Sequence, residues 1–333
     1  MKPIIFVFIL LLFLCSAFSQ QPTILSDSDN NVPDKNKIYI NSNKIPKELI
    51  PYLGNMKFVP AQTFHFGQYH INSIIPEKEE KVSVNAFYIS ATEVTNASYR
   101  EFCKDKGNKY LPDTSTWLSK TGYFEPYAEL YFRHPAYNDY PVVGVNYEKA
   151  VAYCQWYNEK VKTILEKYPE IKEKLVLNDF RLPMECEWEC SAKGGNDDAI
   201  YSFGDYLYYY GKHGEVTAYA NFGRIRDITD NIIYGMFEDL YDITAPVKSF
   251  KPNSYGLYNM SGNVGELTST AFVPDTIKNI VGDLSYNSDE YVIKGGGWKD
   301  APYYLRISAK KPLKKDEAAC DVGFRIAMSY NTN

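Results

Sequence analysis

Tyr255-Gly256-Leu257-Tyr258-Asn259-Met260-Ser261-Gly262-Asn263-Val264-Gly265-Glu266 crowds turn formers and oxygen donors into one short stretch. Two readings follow from the residues. One is an ordinary Gly/Asn turn. The other is a tight loop whose carboxylate, amide and carbonyl oxygens suit a hard cation such as Ca²⁺. From Gly204 onward the chain reads as loops and short strands rich in Tyr, Gly, Asn and Asp. Val292-Ile293-Lys294 reads as a short strand that opens onto Gly295-Gly296-Gly297, and Gly323-Phe324-Arg325-Ile326-Ala327 as a final strand.

Upstream, Phe58-Val59-Pro60 through Phe66-Gly67 alternates and ends at Gly as a first strand would. Val82, Val84 and Phe87-Tyr88-Ile89 give a second strand. The segment Thr95-Asn96-Ala97-Ser98 caps a short helix carrying Tyr99 and Phe102. A stronger helix starts at the cap Asn146, because Ala150, Val151, Cys154, Tyr157, Val161 and Leu165 recur at three and four on one face. Glu185 to Ala192 fits a short helix ended by Lys193-Gly194-Gly195. Together these predict one α+β domain with two or three helices and much ordered loop. So large an irregular fraction needs bound ions, disulfides or buried polar networks to hold it.

Composition narrows the chemistry. The formal net charge is -5, which gives no basic excess for nucleic acid, so no nucleic-acid partner is expected. Four scattered His (His65, His70, His134 and His213) do not suggest a His-rich metal enzyme. No nucleophile elbow, P-loop or dinucleotide glycine pattern is present. On a helix, Glu185, Glu187 and Glu189 point apart, so they read as a solvated face and not as an acid/base pair. Cys186 and Cys190 lack a second ligand pair and read as packing residues. The 30 Tyr suit a loop-rich core or a protein-binding surface.

Residues 1–19 read as a signal peptide: a charged start at Lys2, an apolar run from Ile4 to Leu14, and the small-x-small site Ala17-Phe18-Ser19. Cleavage after Ser19 is favoured over lipidation at Cys15, because Leu14 stands where a small residue should be. Residues 20–48 are rich in Ser, Asp, Asn, Pro and Lys and read as a flexible tether. Residues 49–333 form the folded domain. Cys103, Cys154, Cys186, Cys190 and Cys320 then remain in an exported chain, where one or two disulfides are plausible and the odd number leaves a thiol over.

Read in order, several segments resemble the formylglycine-generating-enzyme-like (sulfatase-modifying factor) domain family. They are Val82-x-Val84-x-x-Phe87-Tyr88-x-x-x-x-Glu93-Val94-Thr95-Asn96-x-x-Tyr99, Phe180-Arg181-Leu182-Pro183-x-Glu185-x-Glu187-Trp188-Glu189, the opening stretch from Tyr255 to Glu266, Lys294-Gly295-Gly296-Gly297-Trp298 and Gly323-Phe324-Arg325. The resemblance implies a single-domain variant of the C-type-lectin fold with low regular secondary structure. Within that family the chain looks similar to the GldK/PorK lipoproteins of gliding motility and type IX secretion. The residues behind this are His134-Pro135-Ala136-Tyr137-Asn138-Asp139-Tyr140-Pro141-Val142-Val143-Gly144-Val145, Gly296-Gly297-Trp298-Lys299-Asp300-x-x-Tyr303-Tyr304-Leu305, and Trp117 following Pro112-Asp113-Thr114.

The resemblance further implies what the chain does. The family's active enzymes place two copper-binding Cys after the Gly-Gly strand, and here Asp300 and Leu305 stand there. Soft Cu(I) requires sulfur, so no copper, no catalytic residue and no small-molecule substrate are expected. Structural Ca²⁺ is implied at two places. One site takes Asn259, Gly262, Val264 and Glu266, and the other takes Asn221, Phe222, Asp239 and Tyr241. The expectation is a pseudoenzyme: a non-catalytic assembly protein of the type IX secretion and gliding apparatus, periplasmic with outer-membrane association, partnered by a GldN/PorN-like periplasmic subunit of a ring complex. The alternatives are an exported enzyme with an unrecognised site, or a lectin-like binding module. The aromatic insert Tyr110, Trp117, Tyr123, Phe124, Tyr127, Tyr131 and Phe132 is expected to supply the partner surface.

Overall fold

The structure is a computed structural model that describes residues 45–67, 80–118, 124–175, 177–210, 216–223, 241–274 and 288–330. The signal peptide at 1–19, most of the 20–48 tether, Asp239 and Tyr123 lie outside the described residues. Among the described residues no helix is long and apolar enough to cross a membrane.

The described helices are α1 (Ile50–Leu53), α2 (Asn96–Lys106), α3 (Glu125–Leu130), α4 (Tyr147–Leu165), α5 (Pro169–Lys174) and α6 (Glu185–Lys193). The strands are β1 (Met56–Val59), β2 (Gln62–Phe66), β3 (Glu80–Val84), β4 (Phe87–Ser90), β5 (Phe180–Arg181), β6 (Tyr208–Tyr210), β7 (Val216–Ala218), β8 (Gly265–Ala271), β9 (Glu290–Lys294), β10 (Lys311–Lys314), β11 (Val322–Gly323) and β12 (Ala327–Ser329). One antiparallel sheet has the order β1-β4-β12-β5, and a second has the order β10-β9-β8-β11 with β11 parallel to β8. β2-β3 and β6-β7 are two-stranded ladders. The architecture is α+β with short elements and long ordered connections, as the sequence predicts.

The helix caps form as read. Thr95 accepts from the Ser98 amide and Asn146 from the Lys149 amide. α4 buries Ala150, Tyr153, Cys154, Tyr157, Val161 and Leu165, and the Tyr157 ring meets Phe180 of β5 edge-on at 4.8 Å. Each of these larger side chains contributes about 1.5–3 kcal/mol by leaving water.

Three predicted strands are each split in two. The run from Val82 to Ile89 divides into β3, which pairs with β2, and β4, which joins the first sheet. The run from Phe58 to Phe66 breaks at Pro60, which cannot donate to a ladder; β1 then joins the first sheet and β2 pairs with β3. The run from Gly323 to Ala327 divides between both sheets, because Phe324-Arg325-Ile326 crosses from β11 to β12. That crossing puts Arg325 in the centre of the molecule, fully buried.

Three further expectations are corrected. The face of Glu185, Glu187 and Glu189 is not solvated: all three are buried, since α6 is covered by β2, β3, β8 and β9. Each acid has a cation. Glu187 pairs with Arg181 at 2.7 Å and Glu189 with Lys294 at 2.6 Å, while Glu185 lies 3.8 Å from both Lys294 and Lys310. Second, all five described cysteines are free. Third, the aromatic insert faces inward. Trp117, Tyr131 and Phe132 are buried, and Phe124 and Tyr127 are half-buried against the Trp117, Tyr131 and Trp298 cluster. Packing is the better use of these rings, because the segment covers the Gly-Gly-Gly-Trp turn and Trp117 stacks on Trp298 at 6.0 Å. The exposed tyrosines lie elsewhere, led by Tyr206 and Tyr210.

Candidate functional site

The stretch from Asn259 to Glu266 forms a buried loop at the centre of the molecule. Asn259 and Asn263 both adopt left-handed backbone, at φ 54 and φ 76. Asn tolerates that conformation better than other side-chain-bearing residues. Gly262, at φ +93, allows the loop to press against the neighbouring chain: a Cβ there would lie 2.6 Å from the Asn221 carbonyl oxygen. The loop is fixed by amides that point both ways. Asn263 N donates to the Asn221 carbonyl at 2.7 Å, and Gly262 N to the Gly295 carbonyl at 2.8 Å.

Two acids meet this loop. Glu266 accepts Nε and Nη2 of Arg325 at 2.6 and 2.7 Å, and Trp188 Nε1 at 2.7 Å. Arg325 also donates to the Ser90 carbonyl at 3.0 Å and the Tyr258 carbonyl at 2.8 Å. Glu266 therefore has a bidentate counter-ion inside the protein. Glu93 is the second acid. It accepts Asn259 Nδ2 at 3.0 Å and Asn263 Nδ2 at 2.7 Å. Burial pushes its carboxyl up to about 7, against the pull of Arg325 and with the push of Glu266.

The loop thus brings Asn259, Gly262, Val264 and Glu266 together, with Asn221 and Phe222 packed beside them. Asn259 Oδ1 and Asn221 Oδ1 are buried acceptors without a hydrogen-bond donor. An orphaned buried amide oxygen costs about 1–3 kcal/mol, and a hard cation would satisfy it. Each oxygen is of the kind a hard cation takes; among the described residues no group of three or more His, Cys, Asp or Glu side chains is placed to hold a metal. Glu266, already neutralised by Arg325, does not require one. Of the second group, Asn221 Nδ2 is tied to the Ile243 carbonyl at 2.7 Å, and Tyr241 is exposed.

A second centre follows β9. Gly295 and Gly296 take left-handed backbone at φ 84 and φ 68, and turn the chain into Trp298. Trp298 Nε1 donates to the Cys320 carbonyl at 3.0 Å. Asp300 accepts the Gly297 amide at 2.7 Å and the Lys311 ammonium. Leu305 is fully buried among Tyr201, Ala218, Ala220 and Phe222. A salt-bridged carboxylate and a core leucine offer no sulfur ligand.

Cys320 borders this turn, buried and 3.3 Å from Lys299 Nζ. Burial raises its thiol, and pushes Cys154 and Cys190 up to about 12 and Cys103 to about 11. These are inert thiols.

Sequence reasoning missed Glu93, Arg325 and Trp188 as site members. All three stand in the quoted motifs, yet no role was read for them. A signal was available for Arg325. An arginine between Phe324 and Ile326 in an apolar run must be buried, and a buried guanidinium needs an acid.

Comparison with known proteins places this geometry. The model of the Sulfatase-modifying factor enzyme 1-like domain matches residues 44–330. The chain is 28% identical over 316 residues to a formylglycine-generating enzyme of Mus musculus, covering 84% of this chain and 76% of that one. It is 25% identical over 287 residues to the inactive C-alpha-formylglycine-generating enzyme 2 of Mus musculus, covering 75% and 77%. Among solved structures, PvdO from Pseudomonas aeruginosa superposes with a TM-score of 0.57 at 21% identity, covering 83% of this chain and 94% of that one. The chain is thus similar both to a protein named as the enzyme and to one named as inactive. The chain belongs to the sulfatase-modifying factor enzyme family of domains.

Proposed function

We propose that this chain is a non-catalytic member of its family, a pseudoenzyme whose scaffold serves as an assembly module in the cell envelope. The observation that carries the reading is the turn after Gly297. By the resemblance, the copper cysteines belong at Asp300 and Leu305. The first is held by Lys311 and the Gly297 amide, and the second is packed in a core cluster. Both positions are built into the fold, and neither can hold Cu(I). One of the similar proteins is itself named inactive.

The fuller reading is a structural part of the type IX secretion and gliding apparatus. It would be exported, cut after Ser19, and seated beside the outer membrane with a GldN/PorN-like periplasmic subunit. Support comes from the resemblance to GldK/PorK at His134 to Val145 and Gly296 to Leu305. Structural Ca²⁺ belongs to the same reading. Asn259 Oδ1 and the Gly262 and Val264 carbonyls would hold one ion beside Glu266. Asn221 and the Phe222 and Tyr241 carbonyls would hold a second, with Asp239. Such ions would stabilise the irregular loops and take no part in a reaction.

Gentle extraction of the native envelope followed by affinity purification tests the assembly reading. The expected result is co-elution of a GldN/PorN-like subunit in stable proportion. Elution as a lone monomer would overturn it.

A further inference from the structure

A cleft of about 660 Å³ opens between α1, the start of α2 and the Pro246–Ser249 turn. Glu93 lines it, although only 2% of that residue is exposed, so it belongs to the inner wall. Asp139, Lys248 and Ser249 stand exposed at the rim.

The neutral groups of the wall are already spent. Asn55 Nδ2 donates to Thr92 Oγ1 at 3.0 Å, and Ser98 Oγ and Tyr153 OH share a hydrogen bond at 2.5 Å. Tyr157 OH donates to the Tyr52 carbonyl, and Ser90 Oγ to the Thr92 carbonyl. The Ser90 carbonyl takes Arg325, the Val94 carbonyl takes the Val142 amide, and the Val247 carbonyl takes Asn259. Glu93 is the exception. Its Oε1 accepts Asn259 and Asn263 at 3.0 and 2.7 Å, while its Oε2 has only a second, 3.2 Å contact from Asn259. Among the described residues no cationic side chain pairs with it. Arg325 spends its donors on Glu266 and on the Ser90, Ala91 and Tyr258 carbonyls. A buried carboxylate without a counter-ion is costly.

The same wall selects the kind of cation. A hard metal ion takes six or so oxygens, and the neutral oxygens here are occupied. A guanidinium is best met by a carboxylate with both oxygens open to its fork, and Oε1 is already filled twice. An ammonium is a point donor that one oxygen can hold, on a methylene stem that lies well against apolar surface. Ile50, Pro51, Val94 and Val247 supply that surface in the lining.

We propose that this cleft takes an alkylammonium group, from a free diamine or from a lysine side chain of a protein partner, with Glu93 as its counter-ion. This goes beyond the assembly reading, and each can fail without the other. Calorimetric titration of the purified full chain in metal-free buffer tests it. The probes are cadaverine and Nα-acetyl-lysine methylamide, with pentanediol and Nα-acetyl-arginine methylamide for comparison. At least one amine should bind with millimolar affinity or better, and about tenfold more tightly than the diol or the arginine probe. The tighter of the two amines identifies the source.

Glu93→Gln should weaken amine binding about tenfold or more, through loss of the counter-ion. Its new amide faces the Asn259 and Asn263 donors and can disturb the fold, so two rim variants stand beside it. Ser249→Trp narrows the mouth and Asp139→Lys reverses the rim charge. Each should weaken binding about threefold or more, and the melting temperature should hold because both residues are exposed. The inference is overturned if neither amine binds, if the diol or the arginine probe binds as tightly, if a folded Glu93→Gln chain binds as wild type, or if binding survives both rim variants.

Discussion

Replacing Arg325 with Met should be among the most damaging single changes in the molecule, and its size can be worked from the contacts. Arg325 is fully buried and gives five hydrogen bonds: two to Glu266, one each to the Ser90 and Tyr258 carbonyls, and a longer one to the Ala91 carbonyl, which also accepts the Tyr258 amide. Met fills much of the volume but leaves Glu266 as a buried carboxylate with only Trp188 as donor. Breaking a buried pair from one side costs about 3–5 kcal/mol. The two carbonyls that lose a donor add about 1 kcal/mol each. The total is about 5–7 kcal/mol, and at about 2 °C per kcal/mol for a domain of this size the melting temperature should fall by about 10 °C or more. Adding Glu266→Leu to make the double variant removes the stranded charge and should recover about half of the loss. Thermal unfolding by circular dichroism, with the two single variants and the double variant in one cycle, measures this directly. A loss below about 1 kcal/mol in Arg325→Met, or a double variant worse than the sum of the singles, would refute the central role given to this pair.

Other outcomes follow from the same structure. Chelator should lower the melting temperature of the wild-type chain, because an ion bound only to the folded state stabilises it by mass action; Asn259→Ala should abolish most of that shift, and an identical melt with and without chelator would dismiss the calcium reading. Gly262→Ala should destabilise by about 1–3 kcal/mol, since its backbone is left-handed and a Cβ would meet the Asn221 carbonyl; a neutral result in urea titration would contradict the loop geometry. Native Cys154 and Cys190 should resist iodoacetamide at pH 8, because burial pushes both thiols up to about 12 and keeps them protonated. Full denaturation should expose all five described cysteines; fast native labelling at either buried position would be inconsistent with the packing. N-terminal sequencing of the mature chain should begin at Gln20, and a start at a lipidated Cys15 would replace that expectation.

What the sequence made legible was local. The caps Thr95 and Asn146, the apolar face of α4 and the left-handed stop at Gly194 are each set by residues within a turn or two. What it hid was long-range. Nothing near Glu185, Glu187 or Glu189 says that β2, β3, β8 and β9 close over that helix and that β9 supplies Lys294; the partner of Glu187, Arg181, is six residues away and was within local reach. The final strand reads as continuous because its pattern is apolar throughout, and only the sheet partners divide it at Phe324 to Ile326. The aromatic insert reads as a surface because it has no period. Its rings pack on Trp298, which is far away in sequence. The loop from Asn259 to Glu266 was legible as a site. Its two acids were not separable, because the assignment of Arg325 to Glu266, with Glu93 left to two asparagines, is a fact of tertiary geometry.

The central proposal is that this chain does not convert cysteine to formylglycine. The direct measurement is to incubate the purified chain with Cu(I) and a cysteine-containing sulfatase peptide under air, then follow the peptide by mass spectrometry beside an active formylglycine-generating enzyme. The account predicts no conversion of cysteine to formylglycine above a no-protein control, with or without added copper. Copper-dependent conversion above that control would show that Asp300 and Leu305 do not mark a lost site, and would contradict the account.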